Sequence, residues 1–198
     1  VRTSTVPPAI DPRLIAEEKV WQLIASHKNP KMAQFLSHRM ESGALLIGFS
    51  SKPNTFATAS VQGSHLWIEW SMPSLLGDTF SEELKHMVLE HEGTHLQQFE
   101  IGRMPYSLYA IPHSLGADGY LVPRPNEDEL ARWFQSELEA YTAECDLAAI
   151  MGSTGEGLYC VVYQREGVPG LRLWLADELS THIGMGHYRE FFFELAKK

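Results

Sequence analysis

Two histidines spaced one helical turn apart constrain this chain more than any other feature of its sequence. They are His91 and His95, in a segment whose apolar spacing predicts a helix over about 80–101. Side chains at positions i and i+4 project from the same face of a helix, so both imidazoles can reach one metal ion. Glu92 points to the side of that face, where its carboxylate can act on a bound water without being a ligand.

The face that carries both histidines is also the apolar face of the predicted helix. On a wheel of about 100° per residue, a largely apolar set lies within about 60° of His91: Phe80, Leu84, Met87, Val88, His95 and Gln98. Two hydrogen-bonded core histidines are the alternative interpretation, which a single buried histidine would favour. The ligand spacing and the intervening Glu92 favour a metal site instead.

A second predicted helix, over about 127–151, offers the third protein ligand that a catalytic zinc requires. Glu137 and Glu144 lie on its apolar stripe, where a carboxylate is costly to bury unless it is paired or binds a metal. A salt bridge to a basic residue is the alternative for either one. Glu144 lies roughly 10 Å further along the helix axis, so both need not ligate one ion. Glu139 points about 160° away from Glu137 and is expected in solvent.

The remaining patterns predict a mixed chain of helices and short strands. The pairs Asp11-Pro12 and Asn29-Pro30 predict two helix starts. For the histidine helix, Thr79-x-x-Glu82 is a capping box, and the candidate N-caps are Asp78, Thr79 and Ser81. Apolar alternation predicts strands over about 44–49, 55–61 and 65–72. A hairpin of 158–163 and 171–175 and a last helix near 188–197 are expected. We expect a single domain over 1–198, with lobes of about 1–101 and 102–198 and a rim or lid within 102–126.

Two motifs of the chain resemble those of a known enzyme family. The run His-Glu-Gly-Thr-His at 91–95 resembles the zinc-binding motif of the zincin metallopeptidases, and Glu-Leu-Glu-Ala-Tyr at 137–141 resembles the downstream motif of the gluzincins. The resemblance covers roughly 66–151. It implies an α+β, zincin-like fold, with a small, mainly antiparallel sheet packed on the active-site helix and a helical lobe after it. It also implies that strand 66–72 is the edge strand beside the cleft, against which an extended peptide would pair.

One position departs from the gluzincin pattern. The residue four places after the glutamate ligand is usually Asp or Glu, which braces the first zinc histidine. Here that position holds Tyr141. Glu144, one turn later on the same face, is the candidate replacement.

The resemblance implies a zinc metallopeptidase that acts on a peptide or protein substrate. His91, His95 and Glu137 would hold one zinc ion, and Glu92 would take a proton from water and deliver it to the leaving amine. Two alternatives remain: a zinc-binding regulatory or interaction module of the same fold with little or no hydrolytic activity, and a non-enzymatic helical protein with an accidental motif. The donor for the developing negative oxygen stays open among six residues: Tyr106, Tyr109, His113, His182, His187 and Tyr188.

Charge and composition limit the partners of the chain. Its 198 residues carry a net charge of −9, which argues against a nucleic-acid partner. Residues 61–198 hold twenty-one Asp or Glu against nine Lys or Arg, a balance that suits a cation. No apolar run approaches the roughly 20 residues of a membrane span. Cys145 is expected as a small core residue, and one bridge to Cys160 remains open. The chain begins with Val1, so a leader could have been removed, and the compartment and oligomeric state stay open.

Overall fold

The first two helices begin at the residues that cap them. In the computed structural model, which describes residues 11–52, 55–104, 114–153 and 157–198, the Asp11 side chain accepts a hydrogen bond from the Arg13 amide at the start of helix α1 (Pro12–Ala25). Asn29 caps helix α2 (Pro30–Glu41) in the same way. Both starts confirm the prediction from the two capping residues and the prolines that follow them.

The rest of the described chain is mixed α and β, which confirms the expected α+β class. No helix among the described residues is long and apolar enough to cross a bilayer.

A single 3₁₀ turn, Gly186–Tyr188, lies before the last helix in the described chain. The elements that follow α2 are strands β1 (Leu45–Ser50), β2 (Ala57–Gln62) and β3 (His65–Ser71), helices α3 (Met72–Leu76) and α4 (Glu82–Glu100), short strands β4 (Ser114–Leu115) and β5 (Leu121–Val122), and helices α5 (Glu127–Ile150), α6 (Leu158–Thr181) and α7 (Arg189–Ala196).

The three long strands form a mixed sheet rather than the mainly antiparallel one expected. The strand order is β1-β3-β2, with β1 parallel and β2 antiparallel to β3. Strand β3 is therefore central, and the prediction that it is the edge strand beside the cleft is wrong. Its buried residues Leu66, Ile68 and Trp70 alternate along the strand, which fits a central strand as well as an edge strand. The edge strand that contacts α4 is β2.

Helix α4 packs against the sheet, against α1 and α2, and against α5, so it is buried on several sides. Ser81 is its N-cap, and the predicted capping box at Thr79 is wrong. Gly93 lies against α2, where a Cβ at this position would be 2.5 Å from Met32 Sδ. The glycine between the two histidines therefore allows α4 to pack closely on α2.

The C-terminal helices build a second buried core, to which α5, α6 and α7 contribute. The predicted hairpin of 158–163 and 171–175 is wrong, because both segments belong to α6. Gly167 has φ 68° and ψ −160°, and Pro169 follows it, so the helix is interrupted there. This interruption divides the apolar pattern into two short runs, and periodicity cannot distinguish such runs from strands. Helix α7 confirms the predicted last helix.

A disulfide between Cys145 and Cys160 joins α5 to the first turn of α6. Both cysteines are fully buried. Cys145 is thus a core residue, as expected, and also takes part in the bridge that the sequence left open.

Candidate metal centre

Helices α4 and α5 bring two histidines and a carboxylate together. His91 Nε2 lies 3.1 Å from His95 Nε2, and Glu137 Oε2 lies 3.5 Å from each of these nitrogens. Within the described chain, these three residues form the group of His, Cys, Asp and Glu that could hold a metal ion. His95 and Glu137 are buried and His91 is half-buried. The three ligands proposed from sequence therefore lie in one place.

The second nitrogen of each imidazole has its own acceptor. His91 Nδ1 lies 3.0 Å from Glu144 Oε2, and an ionised carboxylate can only accept a hydrogen bond. His95 Nδ1 lies 2.9 Å from Gln98 Oε1, and the amide nitrogen of Gln98 donates to the Ser136 carbonyl. Both Nδ1 atoms therefore donate, which leaves both Nε2 atoms facing the site with a lone pair.

Three electron-pair donors thus converge on one point. Two imidazole lone pairs and a carboxylate oxygen repel one another unless a cation or a proton lies among them. Two ligand atoms about 2.0–2.1 Å from a tetrahedral zinc ion lie about 3.3 Å from each other. The observed separations of 3.1–3.5 Å match that value. The donor set among the described residues therefore fits a zinc ion.

The neighbouring charges shift the pKa values of the ligand residues. Burial opposes protonation of His91, but its hydrogen bonds with Glu137 and Glu144, together with the charges of Glu144 and Glu92, raise the pKa of His91 well above its ordinary value. Burial alone would raise the pKa of Glu137, yet the charge of His95 and hydrogen bonds with both histidines hold it well below its usual range. The two shifts run in opposite directions because each residue stabilises the charged form of the other.

Trp133 fixes the orientation of the carboxylate ligand. Its indole N–H donates to Glu137 Oε1 at 3.0 Å from one turn earlier on α5. The other oxygen, Oε2, faces the two histidines. Each of the three candidate ligand residues thus has a partner that orients it, because Glu144 binds His91 Nδ1 and Gln98 binds His95 Nδ1.

Glu92 lies beside the cluster and contacts the edge strand β2. Its Oε2 accepts a hydrogen bond from the Ala59 amide at 2.6 Å. Burial raises the pKa of Glu92, and the charges of His91 and His95 offset only part of that effect. A half-buried carboxylate with a raised pKa is suited to accept a proton and return it.

At the position where the gluzincin pattern usually has Asp or Glu, this chain has Tyr141, and both Tyr141 and Glu144 contact His91. The Tyr141 ring packs edge-on against the His91 ring, with centroids 4.6 Å apart, so it supports the imidazole from the side. Glu144 accepts the hydrogen bond from His91 Nδ1. Glu144 thus makes the contact with the first histidine for which it was the predicted replacement.

Glu139 does not lie free in solvent, and that prediction is wrong. It is half-buried, and its Oε2 accepts a hydrogen bond from Gln98 Nε2 at 3.1 Å. Its Oε1 faces Arg103 at 3.5 Å. The helix wheel of α5 could not show this contact, because α4 and the turn after it also pack beside Glu139.

Three of the six candidate oxyanion donors lie in the described chain. His182 packs edge-on against Trp133, with centroids 5.6 Å apart, so it is one ring away from the glutamate ligand. His187 stacks on Tyr120 at 3.8 Å, and Tyr188 packs edge-on against the same ring. The other three candidates lie outside the described residues: Tyr106, Tyr109 and His113.

A second buried polar cluster, at α4, was not predicted from the sequence. His27 Nε2 lies 2.7 Å from Glu90 Oε2, and His27 Nδ1 lies 3.1 Å from His86 Nδ1. Asn29 donates to the other Glu90 oxygen at 2.7 Å. The sequence feature that could have indicated this cluster is the spacing of four residues between His86 and Glu90. This cluster anchors the helix that carries His91 and His95 to the turn between α1 and α2.

Comparisons with known proteins leave the family of this chain open. No family model, curated protein or solved structure matches it.

Proposed function

We propose that this chain is a zinc-dependent metallopeptidase. The observation that carries the proposal is the convergence of His91 Nε2, His95 Nε2 and Glu137 Oε2, with the carboxylate of Glu92 beside them. Structural zinc sites almost always use four protein ligands, whereas catalytic sites use three and keep one position open. Three such ligands are present among the described residues. A purely structural site would also have no need of a neighbouring base.

When bound, zinc supplies a Lewis acid that polarises a carbonyl oxygen and makes water acidic near neutral pH. His91 and His95 contribute neutral nitrogen ligands, and Glu137 contributes one negative charge. Glu92 accepts a proton from the attacking water and returns it to the nitrogen of the leaving amine. The raised pKa of Glu92 suits both transfers, because its protonated form is then more accessible near neutral pH.

The outer edge of β2 supports an extended peptide as the substrate. Ala59 directs its N–H away from β3 and toward Glu92. Alternate residues of an antiparallel strand point the same way, so the backbone groups of Ala57 and Val61 also face away from β3. A peptide that pairs with this edge would pass its backbone beside Glu92. The resemblance to zincins implies such pairing, and β2 takes the position first expected for strand 66–72.

The variant Glu92→Gln tests the proposal. Glu92 is assigned to proton transfer and not to coordination, so the variant should keep its zinc and lose about 100-fold or more of its turnover of a peptide library. His95→Ala is the matched control, which should lose both zinc and turnover. Undiminished turnover in Glu92→Gln would refute the mechanism. Zinc without turnover in the wild type would favour a binding module.

A further inference from the structure

A disulfide links two helices directly beside residues that orient a metal ligand. Cys145 follows Glu144 on α5, and Cys160 follows Tyr159 in the first turn of α6. Both cysteines are fully buried, and Met87 of α4 packs in the same cluster. The bridge therefore links the helix that supplies Glu137 to the helix that follows it, and it packs against the helix that carries His91.

Tyr159 and His91 bind the two oxygens of one carboxylate. The Tyr159 hydroxyl donates to Glu144 Oε1 at 2.6 Å, and His91 Nδ1 lies 3.0 Å from Glu144 Oε2. Glu144 is only 3% exposed, so water competes little for these bonds. A chain of hydrogen bonds thus runs from α6 through Glu144 to the imidazole whose Nε2 faces the metal position.

The disulfide restricts the separation of Tyr159 and Glu144. Each cysteine is the immediate chain neighbour of one partner in that hydrogen bond, and the two cysteine Cα atoms lie 5.1 Å apart. Gly157, the N-cap of α6, has no side chain with which to hold the first turn. A covalent link one residue away from both partners therefore keeps their backbones close when the helices fluctuate.

We infer that the Cys145–Cys160 disulfide and Tyr159 position Glu144 against His91, so that the metal affinity of the site depends on the disulfide. The inference rests on the proposed zinc site and adds its regulation by redox state. A dithiol reductant would give two electrons and two protons to the bridge, which leaves two cysteine thiols and the reductant as its own disulfide. Tyr159 can then move away from Glu144, and the orientation of the His91 ring is less restricted.

The zinc affinities of four proteins test the inference. Tyr163 is the matched control, because it lies one turn after Tyr159 on α6 and its hydroxyl donates to Asp146 of α5 at 2.9 Å on the exposed side. Competition with a chelator measures the affinity, and the thermal midpoint of each metal-free protein is measured separately. The four proteins are the wild type, Cys145→Ser/Cys160→Ser, Tyr159→Phe and Tyr163→Phe.

We expect the Kd for zinc to rise about 10–100-fold in the double cysteine variant and about tenfold in Tyr159→Phe. Tyr163→Phe should stay within about twofold of the wild type. Nitrogen-15 spectra of the zinc-loaded proteins should show a protected His91 Nδ1–H in the wild type and the control. That signal should broaden or disappear in the other two proteins, which a purely structural role of the bridge would not cause.

A lower thermal midpoint with an unchanged Kd in the double cysteine variant would overturn the inference, because the bridge would then only stabilise the fold. An equal loss of affinity in Tyr163→Phe and Tyr159→Phe would also overturn it. If the cysteine variant does not fold, Tyr159→Phe alone decides the question. The assay measures zinc binding and does not depend on hydrolysis. If the zinc affinities are as expected but the protein cleaves no peptide, the inference stands and only the proposed peptidase activity is refuted. A wild type that binds no zinc would overturn both.

Discussion

Replacing Glu137, Glu144 and Glu139 of α5 one at a time should lower zinc affinity by three different amounts. If Glu137 supplies a third of a zinc-binding free energy of about 10 kcal/mol, Glu137→Ala weakens binding by about 3 kcal/mol, which is more than about 100-fold. Glu144 contacts His91 Nδ1 and does not face the ion. Loss of such a partner typically costs about 10–100-fold, or about 1.4–2.7 kcal/mol.

Glu139→Ala should cost the least of the three, less than about threefold. The Gln98 nitrogen that donates to Glu139 also donates to the Ser136 carbonyl at 3.0 Å, so Gln98 stays oriented toward His95 without Glu139. Glu139 also faces Arg103 at 3.5 Å, but that arginine is largely exposed and the pair contributes little.

Competition with a chelator of known affinity, at one fixed pH, ranks the three variants. Glu137→Gln controls for packing damage, because it keeps an oxygen that can accept from the Trp133 indole. We expect the loss to be greatest for Glu137, smaller for Glu144 and smallest for Glu139. The greatest loss of zinc affinity in Glu144→Ala would mean that Glu144, two turns further along α5, is the ligand. The greatest loss in Glu139→Ala would mean that α5 presents its opposite face to the histidines.

Two further predictions concern the surroundings of the ligands. Trp133→Phe should raise the Kd for zinc about tenfold, because Glu137 loses the donor that fixes Oε1, and an unchanged Kd in the chelator assay would contradict this role. Burial, followed by the charge of His27, lowers the pKa of His86 below its ordinary 6.5, so the unfolded chain binds more protons as the pH falls below that value and the fold loses stability. Urea unfolding at about pH 8 and about pH 5.5 should show a smaller loss in His86→Asn than in the wild type, and an equal loss would place the acid sensitivity elsewhere.

Local chemistry predicted the features of this chain that depend on one helix at a time. Capping by Asp11 and Asn29 gave the starts of α1 and α2. The wheel of α4 put Gln98 on the face of the two candidate histidine ligands, and Trp133 lies one turn before the candidate ligand Glu137. Their spacings from the ligands, three residues and four residues, were visible in the sequence. Only the three-dimensional contacts show that they bind those ligands.

Features that depend on pairing between distant segments were predicted less well. The alternation in β3 indicates one buried face and one half-buried face, but it cannot show that β1 and β2 pair on both sides of the strand. No pattern in the sequence indicated the role of Tyr159, because its partner Glu144 belongs to another helix, fifteen residues earlier. The interruption at Gly167 concealed α6, since each half of its pattern is too short to identify a helix.

The zinc content of protein purified without added metal tests most directly whether His91, His95 and Glu137 hold an ion. Elemental analysis, referred to the concentration of the chain, measures it. We expect close to one zinc per chain in the wild type and almost none in His95→Ala purified in the same way. Wild-type protein without zinc, or His95→Ala with its full complement of zinc, would contradict the proposed metal centre.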